Sequence, residues 1–102
     1  MRIPVTDATL AHLVVEDLRD RTTAGAEFTA YDVTRRLRDL RPEVDIRHAK
    51  VRIVVHGYMR ALLAEGLYQA SARRYAKQTA MLYEPVSRDA WSDGIPLLPL
   101  DD

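Results

Sequence analysis

The sequence has no cysteine, which excludes a disulfide framework, a thiolate metal site and a cysteine nucleophile. It also has no apolar run near the roughly 18 residues that a membrane-spanning helix requires. Residues 1–7 lack the long apolar stretch of a secretory signal peptide. From these absences we expect a soluble, cytoplasmic protein with no membrane partner.

Recognisable catalytic motifs are also missing. The chain shows no Ser–His–Asp set, no paired carboxylates and no glycine-rich phosphate loop. His48 and His56 lie two helical turns apart without an acid at suitable spacing between them, and His12 stands alone in an acidic segment. We therefore expect no enzyme activity, no metal site and no cofactor.

What is present is an ordinary globular composition. Of 102 residues, 47% are hydrophobic and 29% are charged, values typical of one folded domain rather than of a disordered chain. The core is expected to be modest, because a chain of this length buries only about two-thirds of its unfolded surface.

Charge is balanced in total but sorted along the chain. The 15 basic and 15 acidic side chains cancel, yet the net charge is −3 over residues 1–34 and +5 over residues 35–60. It is +1 over residues 61–84 and −3 over residues 85–102. This segregation gives the middle of the chain a positive field that attracts a polyanion.

The spacing of apolar residues predicts three helices. The first covers residues 8–21, the second ends near Leu40, and the third covers residues 46–65, about twenty residues. The positions expected to be buried recur every three or four residues: Leu10, Val14 and Leu18; Val33, Leu37 and Leu40; Val51, Val54, Val55, Tyr58, Met59 and Leu62.

Capping residues support these helix starts. Thr6 or Asp7 is the expected N-cap of the first helix, and Thr29 followed by Asp32 resembles a capping box for the second. Asp45 is the expected cap of the third helix. The first helix is expected to end at Gly25, because glycine adopts the left-handed conformation that terminates helices. Pro42 ends the second helix, since proline disfavours helical geometry in the preceding residue.

Short strands are predicted before the second helix and after the third helix. Residues 27–29 form a very short extended candidate, and residues 67–72 and 79–84 form two longer ones. The connection over residues 73–78 lacks the glycine of a tight hairpin, so we expect a longer excursion there. The predicted fold class is mainly α with a small β-hairpin (α+β).

The end of the third helix carries a resemblance. At Leu62-Leu63-Ala64-Glu65-Gly66-Leu67-Tyr68, and in its order of elements over residues 7–85, the chain resembles winged-helix DNA-binding domains. We divide it into a winged-helix domain over residues 1–85 and a C-terminal tail over residues 86–102. The third helix of such a domain enters the major groove of double-stranded DNA and the hairpin, or wing, contacts the neighbouring backbone. The resemblance thus implies a transcriptional regulator or other DNA-associated factor.

Nine basic side chains are the candidate DNA contacts. Lys50 is the first choice, because it lies early on the third helix opposite the buried arc. The others flank it, lie on the second helix, or lie in the wing. They are Arg47 and Arg52; Arg35, Arg36 and Arg38; and Arg73, Arg74 and Lys77. The plainer interpretation is a set of solvated basic surfaces, with some second-helix arginines paired to nearby acids.

Ile53 and the tail leave alternatives open. An outward Ile53 could meet a thymine methyl group, form a dimer seam or contact the tail. The tail, with Trp91 and the apolar run 95–100, could be a packing lid over the core or a hook for a partner. We expect a homodimer through one of these surfaces. A protein–protein adaptor without DNA binding is the alternative function, and RNA binding is a third.

Overall fold

The structure, a computed structural model, describes residues 2–75 and 78–86. Three helices precede a two-stranded antiparallel sheet, which confirms the α+β class and is compatible with a winged-helix topology. The elements are α1 (Asp7–Ala24), α2 (Ala30–Leu40), α3 (His48–Ala64), β1 (Tyr68–Tyr75) and β2 (Gln78–Pro85). Among the helices of the described ranges, none combines the length and the apolar character needed to cross a membrane.

Helix α1 follows its sequence signals. The Thr6 side chain accepts a hydrogen bond from the Thr9 backbone N–H, so Thr6 is the N-cap. Gly25 ends the helix with a φ of 69°, the left-handed conformation that glycine adopts without steric cost. The predicted spine of Leu10, Val14 and Leu18 is buried.

Helix α2 begins with the predicted capping box. Thr29 Oγ1 accepts a bond from the Asp32 backbone N–H, and Asp32 Oδ2 accepts one from the Thr29 backbone N–H at 2.9 Å. Val33 and Leu37 are buried as expected, but the expected burial of Leu40 is wrong, since it is 61% exposed. Leu40 is the last helical residue and lies at the rim of the groove between α1 and α2.

Helix α3 starts later than predicted and is 17 residues long. The segment before it is held in extended pairing with the N-terminus. The Ile3 N–H donates to the Glu43 carbonyl oxygen at 2.7 Å, and the Asp45 N–H donates to the Ile3 carbonyl oxygen at 2.8 Å. Asp45 is therefore not the cap. Arg47 takes that position without a side-chain cap bond.

One core joins the helices to the base of the hairpin. All six predicted α3 positions are buried, and Phe28 packs against Tyr68 and Tyr83 with ring centroids 6.2 and 5.8 Å apart. The hydroxyls of Thr22 and Tyr68 share a hydrogen bond that ties α1 to β1. Both hydroxyl groups are thereby satisfied inside the core.

The hairpin is longer and tighter than predicted. Pairing runs from Tyr68 opposite Pro85 to Tyr75 opposite Gln78, which leaves two residues between the paired positions. The expected long excursion over residues 73–78 is wrong, because Arg73 and Arg74 pair with β2 and continue the antiparallel ladder. Both arginine side chains are exposed, so this pairing buries no charge. On the other edge of β2, the predicted extended segment is confirmed at Phe28, which forms an antiparallel bridge with Tyr83. The proposed roles of the tail concern residues after Val86, which lie outside the described residues.

Candidate functional site

A cleft of about 400 Å³ opens between α2, α3 and the outer edge of β2. A smaller groove of about 90 Å³ lies between α1 and α2. The side chains that give the walls of the larger cleft their chemistry are Tyr31, Arg35, His48, Arg52, His56 and Met81. We call this larger site the basic cleft.

The helix repeat places these side chains on two facing stripes. Tyr31 and Arg35 are four residues apart on α2, and His48, Arg52 and His56 follow at the same spacing on α3. Residues separated by four lie on one helix face. Each helix therefore presents an aromatic ring and a guanidinium to the same opening.

The wall nearest the start of α3 is aromatic. The Tyr31 and His48 rings are stacked, with centroids 4.3 Å apart and a tilt of 32°. His48 Nδ1 lies 2.7 Å from Thr34 Oγ1, a hydrogen bond that fixes the orientation of the imidazole. Tyr31 is nevertheless 54% exposed, so a flat aromatic surface remains open to a ligand.

The surroundings of the two histidines favour their uncharged forms. Burial lowers the pKa of His48, the positive charges of Arg52 and Arg38 lower it further, and His56 adds to the effect when it is protonated. Burial also lowers the pKa of His56, with Arg52 and Arg60 adding to the effect. The positive charge of the basic cleft at neutral pH therefore comes from its arginines.

Arg35 and Arg52 are the available cations of the basic cleft. Within the described residues, neither guanidinium has an ion pair or a side-chain hydrogen bond. Asp32 also lines the cleft, but its carboxylate is bound to Thr29 in the capping box. An anion can therefore bind the guanidiniums of Arg35 and Arg52 without breaking an existing ion pair.

The other candidates on α3 and before it are already paired. Lys50 Nζ lies 3.1 Å from Asp7 Oδ1 on α1, and Arg47 Nε lies 3.1 Å from Asp45 Oδ2. Both pairs are on the surface, where an ion pair contributes at most about 1 kcal/mol. A phosphate could replace Asp7 or Asp45 as the partner, but the free energy gained from that contact is reduced by the loss of the existing ion pair.

Two of the α2 candidates hold the fold together. Arg36 lies 3.3 Å from Asp17 and 3.5 Å from Asp20, both on α1, and Arg38 Nε donates to the Ile46 carbonyl oxygen at 3.0 Å. The acidic first helix therefore packs against the basic segment at these residues. Its acids bind basic side chains of α2 and α3.

The wing contributes one candidate beside the basic cleft. Arg74 is exposed and pairs across the hairpin with Thr79, which lines the cleft. Cross-strand partners share a sheet face, so Arg74 lies on the same face as Thr79. Arg73 lies 3.9 Å from Glu27. Lys77 lies outside the described residues.

Sequence reasoning missed the aromatic and histidine walls of the basic cleft. The four-residue spacing of Tyr31 with Arg35, and of His48 with Arg52 and His56, was a usable signal. That β2 closes the third side was not visible, because it depends on the bridge between Phe28 and Tyr83. Ile53 does point outward as expected and is 69% exposed.

No protein-family model, curated protein or solved structure matches this chain. Within the described ranges, no group of three or more His, Asp or Glu side chains is placed to hold a metal ion. The function is therefore inferred from the basic cleft and its surroundings.

Proposed function

We propose that the chain is a small winged-helix DNA-binding protein, a transcriptional regulator or other DNA-associated factor that acts by occupancy. The observation that carries the proposal is the basic cleft, in which Arg35 and Arg52 are free of acidic partners among the described residues. The polyphosphate backbone of DNA is attracted by such cations, and this attraction supplies most non-specific affinity.

The arrangement of elements supports the same proposal. In a helix-turn-helix the second helix of the pair enters the major groove, which here assigns α3 to the groove and β1–β2 to the adjacent backbone. Arg52 can meet a guanine edge or a phosphate, and the exposed Ile53 beside it can meet a thymine methyl group. Lys50 and Arg47 become secondary contacts because they must first leave Asp7 and Asp45.

The test is a titration of the protein with mixed-sequence duplex DNA at several salt concentrations, with fluorescence anisotropy as the measure of binding. We expect Arg35→Ala/Arg52→Ala to weaken binding and to reduce the slope of log K against log salt by about two, since each lost phosphate contact removes about 0.9. The matched control is Arg41→Ala, an exposed arginine that lines the groove between α1 and α2.

An unchanged slope in the folded double variant, or an equal loss in the Arg41 control, contradicts the proposal. Circular dichroism verifies the fold of each variant. A parallel titration with duplex RNA tests whether the protein binds RNA instead, because phosphate attraction alone does not distinguish the two nucleic acids.

A protein-assembly module is the second candidate function. The large exposed side chains of Leu40 and Ile53, at 61% and 69%, favour it, because apolar surface of this kind is typical of protein contacts. The two functions are distinguished by the anisotropy titration together with sedimentation of the free protein. Self-association that Ile53→Ser abolishes, with no DNA binding at low salt, supports assembly.

A further inference from the structure

The outer edge of β2 is open where it forms the wall of the basic cleft. Tyr83 exchanges both main-chain bonds with Phe28, at 2.8 and 2.9 Å, so its N–H and C=O point away from β1. Main-chain groups alternate along a strand, so those of Met81 and Thr79 point the same way. Within the described residues, no main-chain group bonds to them on that side.

This edge and the walls around it define one kind of occupant. An extended peptide can pair with the free main-chain groups of Thr79 and Met81, as in strand addition to a sheet. Acidic side chains of that peptide would meet Arg35 and Arg52, and a large apolar side chain would cover the exposed faces of Tyr31 and Met81.

The chain itself contains such a segment in residues 87–102. It carries one arginine and four aspartates, a net charge of −3, and its apolar residues include Trp91 and Leu98. Trp91 is the only tryptophan in the protein. Its charge and its large side chains complement the basic cleft.

The point where this segment leaves the domain makes the cleft reachable. The Val86 N–H donates to the Leu67 carbonyl oxygen at 2.9 Å, which fixes the start of the segment at the base of the hairpin. Met81 lies five residues back along β2, about 17 Å at the strand rise. Phe28 occupies this edge of β2 at Tyr83, between Val86 and Met81, so the segment has to pass around Phe28 to reach the cleft. Its sixteen residues, which can span about 50 Å when extended, are long enough for that path.

We propose that residues 87–102 dock in the basic cleft of their own chain as an extended acidic segment and compete there with DNA. Intramolecular docking needs little intrinsic affinity, because a short tether gives an effective concentration of about a millimolar or more. The docking stands on the cleft and the segment alone, whereas the competition rests on the proposed function.

Docking is tested in the full chain through Trp91 fluorescence, with acrylamide as a neutral quencher. We expect Trp91 to be shielded in the parent protein and the quenching constant to rise about two-fold in Arg35→Glu/Arg52→Glu, because like charges repel. Arg41→Glu is the matched control and should leave the constant unchanged. Asp89→Lys/Asp93→Lys repeats the test by changing the segment instead of the cleft. If the cleft variant fails to fold, this segment variant still tests the docking, because its cleft is unchanged.

Two outcomes overturn the docking. The first is a quenching constant that is equal in the parent, the cleft variant and the segment variant. The second is shielding that disappears on dilution, because that result assigns the segment to the cleft of a second copy. Shielding that is independent of protein concentration and lost in both variants supports docking within one chain.

Competition is tested by DNA affinity. Asp89→Asn/Asp93→Asn should bind duplex DNA about 3–10-fold more tightly, since the binding-competent fraction limits apparent affinity. Glu16→Gln/Glu43→Gln neutralises two exposed acids elsewhere and should change affinity less than about two-fold. If DNA binding requires Arg52 but the segment variant equals its control, the competition is wrong. If no variant binds DNA while Trp91 shielding still requires Arg35 and Arg52, the proposed function fails and the docking stands.

Discussion

Asp17 is an acidic side chain inside the interface between α1 and α2. It is only 4% exposed, with Oδ2 2.7 Å from Arg21 Nε and Oδ1 3.3 Å from Arg36 Nη1. Burial raises the pKa of Asp17, while the hydrogen bond and charge of Arg21 and the charge of Arg36 oppose that effect. Arg21 donates a hydrogen bond to Oδ2 and Arg36 gives Oδ1 a charge contact, although Oδ1 has no hydrogen-bond partner among the described residues.

Removing this carboxylate is expected to destabilise the fold. Asp17→Ala should lower the free energy of unfolding by about 1–3 kcal/mol, because Arg21 loses its carboxylate partner in a partly buried place, although it keeps its hydrogen bond to the Asp32 carbonyl oxygen. The loss is expected to be smaller than for a fully buried pair, since Arg36 is half exposed. Urea denaturation measures the change. Asp20→Ala, at an exposed position, is the control and should cost much less; equal losses would show that burial of Asp17 has no special effect.

Lys50 and Arg52 show how far single residues could be predicted. Lys50 was predicted to lie opposite the buried arc of the third helix and Arg52 to flank it, and both are exposed. Their difference arises from Asp7, which binds Lys50 from 43 positions away in the chain. Helical periodicity carries no information about such a distant partner, so the preference for Lys50 over Arg52 could not be checked before the fold was known.

At the scale of elements, the capping box of α2 supports the basic cleft. Thr29 is buried and begins the helix directly after Phe28, which is bridged to β2. The first turns of α2 carry Tyr31 and Arg35. The start of this helix therefore sets the distance between the cleft walls.

Loss of the cap is expected to weaken α2. Thr29→Ala should lower the free energy of unfolding by about 1 kcal/mol, within the range of about 0.5–2 kcal/mol for N-caps, because the Asp32 N–H loses its acceptor. Thermal and urea unfolding measure the effect. Thr29→Ser keeps the hydroxyl and should retain most of the stability; if it is as damaging as the alanine variant, methyl packing rather than capping explains the loss.

Predictions succeeded where a signal is local and failed where contact is distant. The buried stripes, apart from Leu40 at the end of α2, and the caps of α1 and α2 depend on residues within one or two turns. The start of α3 was misplaced because Ile3 pairs with the segment before it. The length of the hairpin was underestimated because strand pairing depends on both partners at once.

At the scale of the whole molecule, tertiary contacts redistribute the sorted charge. Acids of α1 engage Arg36 and Lys50, so part of the positive segment is neutralised within the fold. Arg35 and Arg52 remain without an acidic partner among the described residues, and both line the basic cleft. A chain of zero net charge thereby presents a positive site at one place on its surface.

The histidines of the basic cleft make stability depend on pH. Burial lowers the pKa of both His48 and His56 below the ordinary value of 6.5. Between 6.5 and the lowered values, the unfolded chain binds more protons than the folded chain. Stability therefore falls as the pH drops through this window and is restored as the pH rises above 6.5.

The urea midpoint is accordingly expected to be lower at pH 5.5 than at pH 7.5, and His48→Gln/His56→Gln should lose most of that difference. His12→Gln, at an exposed position on α1, should keep it. DNA affinity should instead rise as the pH falls, because protonation of the histidines adds positive charge beside Arg52, where phosphate is proposed to bind. A pH difference in stability that is unchanged in the double variant would assign it to other groups, and DNA affinity that falls on acidification would separate the histidines from the DNA contact.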